Sequence, residues 1–180
     1  TEYSSRIFQL VPIEQAPPRT EFAIAQYPNA KIWYKSGVDV YLKGLDAERS
    51  WGVAEIDYSL DGFDPVIAPG SDAVINIPDE GEHVLGYYSV DNYGNTDEPR
   101  TLTIRIDYTA PVTVASIRNG GTSVALTSTD NVSGVDATWY VLDKQTPRRY
   151  TGAIPLDGKP HTIRYWAVDN AGNEEQRKVL

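Results

Sequence analysis

The chain contains no cysteine. That absence removes disulfides, thiol nucleophiles and thiolate metal sites together, and it permits export without requiring it. Long apolar runs are also missing, and nothing approaches the roughly 20 uninterrupted apolar residues of a membrane helix. Basic residues are sparse: the net charge is −9 and the longest basic cluster is Arg148-Arg149. A phosphate backbone needs clustered Lys and Arg, so nucleic acid is excluded as an expected partner. The chain starts at Thr1 without a signal peptide, so a targeting segment is expected upstream or already removed. Histidine occurs only as His83 and His161. Absent too are a Gly-x-Ser-x-Gly elbow, a phosphate loop and a His-Glu-x-x-His pair.

What is present is a repeat. Asp91-Asn92-Tyr93-Gly94-Asn95 recurs 78 residues later as Asp169-Asn170-Ala171-Gly172-Asn173. Each copy follows an aromatic segment, Tyr87-Tyr88-Ser89-Val90 and Tyr165-Trp166-Ala167-Val168. Upstream, Gly52-Val53 and Tyr58-Ser59-Leu60-Asp61 match Gly134-Val135 and Tyr140-Val141-Leu142-Asp143 at a shift of 82. Further back Asp46 matches Asp130, and Ala16-Pro17 matches Ala110-Pro111. The drifting shift is what loop insertions in the first copy produce. The two histidines sit at the start of the same strand in each copy, which points to a structural position rather than a general base.

Hydrophobic residues make up 41% of the chain, enough for packed cores. Short segments rich in Val, Ile, Thr, Tyr and Trp are broken by Gly, Pro, Asn and Asp about every 8–12 residues. No long segment has helical periodicity. In the second copy strands are expected near 113–117, 123–129, 135–142, 148–151, 153–156, 162–168 and 174–180. Seven short strands in about 70–100 residues indicate a Greek-key sandwich. The expected fold is all-β: two tandem immunoglobulin-like Greek-key β-sandwiches. Residues 1–15 are a lead-in or the last strand of a preceding module, 16–108 the first sandwich and 109–180 the second. The final strand of the second is expected to be cut short, so the chain reads as an excerpt from an array.

The second copy carries Thr129-Asp130-Asn131-Val132-Ser133-Gly134-Val135, then Tyr140-Val141-Leu142-Asp143, then Val168-Asp169-Asn170-Ala171-Gly172-Asn173. This order resembles the tandem bacterial immunoglobulin-like repeats of large secreted or surface proteins. The link Ile106-Asp107-Tyr108-Thr109-Ala110-Pro111 is similar to the joint between such repeats. The first copy departs from the pattern at Leu45-Asp46-Ala47-Glu48-Arg49-Ser50-Trp51-Gly52. The resemblance implies a sandwich fold and an extracellular or cell-surface setting. For function it implies a spacer, an adhesive unit or a companion of carbohydrate-active enzymes.

Two features carry candidate chemistry. In the Asp-Asn-x-Gly-Asn turns, Asn and Gly tolerate positive φ and Asp accepts nearby backbone amides, so a hairpin alone accounts for them. The competing reading is calcium, which favours several oxygen ligands. Asp107, Asp130 and Asp169 would gather at one pole of the second sandwich. Asp46 and Asp91 would form the equivalent pair in the first, with Glu14 in its lead-in. The turn chemistry also accounts for the sequon Asn131-Val132-Ser133.

The second feature is aromatic. Alternation turns Ile163, Tyr165 and Ala167 inward, with Tyr140 and Leu142 beside them, and leaves Trp139 and Trp166 outward as candidate ligand-binding residues. Asp57 and Tyr88 take their places in the first copy. A glycosidase needs only two suitably spaced carboxylates, yet two small sandwiches build no deep cleft. The chain is therefore expected to be a non-catalytic spacer pair whose partners are neighbouring domains of the same polypeptide. No cofactor is required, and calcium is the candidate ion. The alternative is a carbohydrate-binding or adhesion module meeting a polysaccharide or a cell-surface protein.

Overall fold

The computed structural model of the protein describes residues 16–47 and 50–180. Residues 1–15, with the expected lead-in strand and Glu14, lie outside the described residues. The described chain folds into two tandem Greek-key sandwiches of β-strands. Strands β1 (Arg19–Ile24), β2 (Val38–Leu45) and β5 (Asp72–Ile77) form a three-stranded sheet in the order β1-β2-β5. Strands β3 (Val53–Leu60), β4 (Val66–Pro69), β6 (Gly81–Asp91) and β7 (Arg100–Ile106) form a four-stranded sheet in the order β4-β3-β6-β7.

The second copy repeats this plan. Strands β8 (Val112–Arg118), β9 (Ser123–Thr129) and β12 (Ile154–Pro155) give the three-stranded sheet β12-β9-β8. Strands β10 (Val135–Leu142), β11 (Arg148–Arg149), β13 (Ile163–Asp169) and β14 (Lys178–Val179) give the four-stranded sheet β11-β10-β13-β14.

Alternation builds the cores. On β2, Val38, Val40 and Leu42 are buried, and on β5 Ala73, Ile75 and Ile77. On β6 the buried set is Leu85, Tyr87, Ser89 and Asp91. The second core joins Val124, Leu126, Ile154, Ile163 and Tyr165, with Tyr140, Leu142 and Tyr150 packed against it. Each fully buried aliphatic side chain contributes about 1.5–3 kcal/mol.

Register is the same in both copies. Tyr58 faces Tyr87 and Leu60 faces Leu85, as Tyr140 faces Tyr165 and Leu142 faces Ile163. A bulge also recurs, between Val53 and Glu55 and between Val135 and Ala137. It adds local twist where each strand leaves the loop after Gly52 or Gly134. The aspartate ending each Tyr-x-Leu-Asp segment has φ of 54°, at Asp61 and Asp143. Asp is among the few residues that adopt this left-handed conformation readily.

By contacts the chain forms two compact units. One comprises the described parts of Thr1–Ala23, Tyr41–Val74 and Leu85–Thr101. The other comprises Ile24–Val40, Ile75–Val84 and Leu102–Leu180. Within this second unit Tyr34 pairs in parallel with Ile106: its N–H donates to Arg105 O at 2.8 Å and its carbonyl accepts Asp107 N–H at 2.9 Å. The backbone leading into Asp107 is therefore hydrogen-bonded on both sides.

Candidate functional site

Asp107 follows β7, Asp130 opens the loop after β9, and Asp169 ends β13. The pole of the second sandwich gathers them, and one carboxylate oxygen from each lies within 4.8 Å of the others. Asp107 and Asp169 are buried, and Asp130 is partly buried. Among the described residues this is the only group of three or more such side chains.

The three carboxylates are held by backbone amides. Asp107 Oδ1 accepts Thr109 N–H at 3.0 Å and its Oδ2 accepts Ser133 N–H at 3.0 Å. Asp130 Oδ1 accepts Val132 and Gly134 N–H at 3.2 and 2.6 Å. Asp169 Oδ1 accepts Gly172 and Asn173 N–H at 2.7 and 2.8 Å. Asn173 completes the knot, its Nδ2 donating to Asp107 O at 2.9 Å and to Asp169 Oδ2 at 2.8 Å. Gly172 has φ of 90°, which closes the hairpin so that these amides converge on one oxygen.

Further donors reach the same pole from the segment before β2. Lys31 Nζ lies 2.6 Å from Asp136 Oδ1 and 2.8 Å from Asn170 Oδ1. Asn29 Nδ2 donates to Asn170 O at 2.8 Å, and Lys35 Nζ to Gly172 O at 2.7 Å. Asn170 in turn donates to the carbonyls of Ser133 and Gly134 at 2.7 and 3.0 Å. Link, loop and hairpin are thus tied to one another by side chains the sequence repeat had singled out. Calcium takes 6–8 oxygens at 2.3–2.6 Å, so ligand atoms within 4.8 Å of one another match the width of its coordination sphere. An ion there would have to share oxygens that already accept amide protons.

In the first copy Asp91 repeats the hairpin half of this arrangement. Its Oδ1 accepts Tyr93 and Asn95 N–H, each at 2.8 Å, and its Oδ2 accepts Asn95 Nδ2 at 2.7 Å. Burial raises the Asp91 pKa, but the hydrogen bonds from Asn95, Tyr93 and Gly94 outweigh it and hold the carboxyl below its ordinary range. Asp46 is separately engaged: its Oδ1 accepts Ala47 N–H at 2.8 Å, while its buried Oδ2 has no hydrogen-bond partner. Among the described residues neither Asp46 nor Asp91 belongs to a group of three such side chains.

Trp139 and Trp166 are neighbours in register on β10 and β13. Trp139 is half-buried, whereas Trp166 is only 6% exposed, with the Arg177 guanidinium 4.4 Å above its ring centre. A sugar ring could stack on Trp166 only by displacing that cation. His161 is a tie as well: its two ring nitrogens lie 2.9 Å from Asp143 Oδ2 and Asp157 Oδ1. Those hydrogen bonds raise its pKa, which favours the imidazolium over the neutral form a general base uses.

A second pair of buried acids escaped the sequence reading. Glu175 Oε1 accepts Thr113 N–H at 2.8 Å, and its Oε2 accepts Ala167 N–H at 3.2 Å. Lys178 pairs with Glu175 and donates to Thr113 O at 2.8 Å. In the first copy Asp97 Oδ2 accepts Thr20 N–H at 2.7 Å, and Arg100 lies 3.1 Å from Asp97 Oδ1 while donating to Thr20 O. Each clamp fastens the first strand of a sandwich to the opposite sheet. The signal was legible: Asp97 and Arg100 precede Glu175 and Lys178 by the same 78 residues as the turns. Changes of residue type, Asp to Glu and Arg to Lys, hid it.

Neither a family model nor a curated protein sequence matches the chain. Among solved structures it is similar to the fibronectin(III)-like modules of CbhA from Clostridium thermocellum. That match has a TM-score of 0.41 and 11% identity, over 88% of this chain and 91% of the other. A chitinase from Bacillus thuringiensis is similar with a TM-score of 0.38 and 15% identity over 94% of this chain. The chain spans 30% of that chitinase's length. The assignment to the sandwich class rests on the sheets themselves.

Proposed function

We propose that the chain is a non-catalytic spacer, a pair of sandwich modules in a larger secreted or cell-surface protein of the tandem immunoglobulin-like kind. One observation carries the reading. Asp107, the first residue of the link from β7 to β8, is buried and tied to Tyr34, Thr109, Ser133 and Asn173. Asp107 and these partners all belong to the second compact unit, so the link begins as part of a folded module and not as free chain. Its partners are then the neighbouring domains of the same polypeptide. Calcium is the ion the Asp107, Asp130 and Asp169 set would take, further fastening the start of the link to the pole of the second sandwich. Unequal melting midpoints with excess calcium and with EDTA support that ion; identical midpoints remove it and leave the amide-tied joint as the whole device.

The second reading is a carbohydrate-binding or adhesion module, accessory to a polysaccharide-degrading enzyme, with Trp139 and Trp166 as contacts. The half-buried Trp139 favours it; the covered Trp166 does not. Affinity electrophoresis in soluble polysaccharides, with pull-down on chitin, cellulose and peptidoglycan, separates the two. A spacer migrates unretarded. Retention lost in Trp139→Ala would overturn the spacer reading.

A further inference from the structure

The repeat places Asp57 and Tyr88 where the second sandwich has Trp139 and Trp166, and the consequence is a cavity. Asp57 faces Tyr88, and Ser59 faces Gly86, across β3 and β6. Alternation puts all four on the face of this sheet turned away from its core, since Ile56, Leu85 and Tyr87 are the buried alternates. Gly86 contributes no side chain, so the space between the other three stays open. Pro99 and Thr101, coming from the β7 side, close it. The result is a cavity of about 190 Å³ lined by Asp57, Ser59, Gly86, Tyr88, Pro99 and Thr101.

At its wall stands a charge without a counterpart. Asp57 is only 9% exposed, and its Oδ1 is buried with no hydrogen-bond partner. Its carboxylate is hydrogen-bonded with Tyr88, which raises the Tyr88 pKa and keeps that hydroxyl a donor. Arg100 also lines the cavity, but its guanidinium is committed to Asp97 and the Thr20 carbonyl. Glu55 adds a second negative charge acting on Tyr88. A buried carboxylate oxygen left unpaired is costly, and a cationic donor relieves it best. The ring of Tyr88 favours a cation over its face as well. The volume is below the roughly 300–1,000 Å³ typical of drug-sized ligands, and it suits the end of one aliphatic chain.

We infer that this cavity is a binding site for a single primary ammonium group on a short apolar stem, with Asp57 as its counter-ion. That chemistry is the chemistry of a lysine side chain on a protein partner. It is independent of the spacer reading, because the residues that line the cavity belong to the first compact unit and Asp107 belongs to the second.

The test is an amide chemical-shift titration of the full chain with n-butylammonium chloride, against potassium chloride at equal ionic strength and against 1-butanol. Saturable shifts at Asp57, Gly86, Tyr88 and Thr101 are expected with butylammonium alone. Asp57→Asn should weaken them by about tenfold or more, the loss of a charge-assisted contact. Gly86→Ala keeps the carboxylate and blocks the cavity. Its added methyl meets Ser59 Oγ at 3.3 Å, a contact that a side-chain rotation relieves, and the backbone there needs no positive φ. Gly86→Ala should therefore also abolish the shifts, which keeps the test alive should Asp57→Asn fail to fold. Nα-acetyl-lysine amide should reproduce the shifts, and glucosamine, whose ammonium sits on a hydroxylated ring, should not; glucosamine binding as well as the lysine amide would overturn the lysine assignment. Equal binding of 1-butanol, non-saturating shifts, or unchanged binding in Gly86→Ala overturns the proposal.

Discussion

Replacing Glu175 by alanine removes the acceptor for two backbone amides at once. Thr113 N–H at 2.8 Å and Ala167 N–H at 3.2 Å both lose their partner, and both residues are at most 1% exposed. A buried donor left unsatisfied costs about 1–3 kcal/mol. Lys178 loses its partner too, but its side chain is 39% exposed, so solvent takes up most of that term. The expected loss is about 2–4 kcal/mol, which lowers the melting midpoint of a sandwich this size by about 10–25 °C.

The pH dependence is a second check on the same clamp. Burial raises the Glu175 pKa, but the hydrogen bonds from Lys178 and Thr113 overcome it and hold the carboxyl below its ordinary range. A depressed folded-state pKa gives stability that is present above the unfolded value and lost as pH falls through the folded one. The gap between the parent chain and Glu175→Ala should therefore be full at neutral pH and close on acidification. Scanning calorimetry across that range is the assay. A loss under about 0.5 kcal/mol, the scale of ordinary surface changes, would refute the clamp.

Other outcomes follow from the same structure. Asn173→Ala, which removes donors to Asp107 O and Asp169 Oδ2, should cost about 1–3 kcal/mol in denaturant unfolding. His161 should titrate above the ordinary histidine range by NMR, because Asp143 and Asp157 hydrogen-bond to it. Its contribution to stability is fully present below the unfolded-state value and disappears as pH rises through the folded one. Arg177→Ala uncovers the Trp166 ring, so tryptophan emission should move to longer wavelength with a stability change within about 1 kcal/mol.

The fold was legible because its signals are local. Hydrophobic alternation and the Gly, Asn and Asp turns marked the strands of the second sandwich to within a few residues, and a repeat whose landmarks keep their order despite a drifting shift gave their sequence. The turn motif also led to Asp107, Asp130 and Asp169, since a Greek key brings those three segments to one pole. What stayed hidden depended on packing between sheets. Nothing in the sequence announces that Arg177 lies over Trp166, because the contact joins a chain end to the middle of another strand. The Glu175 and Asp97 clamps were masked by Asp-to-Glu and Arg-to-Lys exchanges. The cavity beside Asp57 needed the register of β3 and β6, which sets Gly86 opposite Ser59.

The central claim is that the link through Asp107 is a structural element and not a hinge. Backbone 15N relaxation across residues 105–112 tests it most directly. The account predicts order parameters near the rigid value of about 0.85, equal to those of β7 and β8 on either side. Values below about 0.6 at Asp107 to Ala110 would contradict it, and the buried carboxylate knot would then be local turn chemistry without a role in spacing.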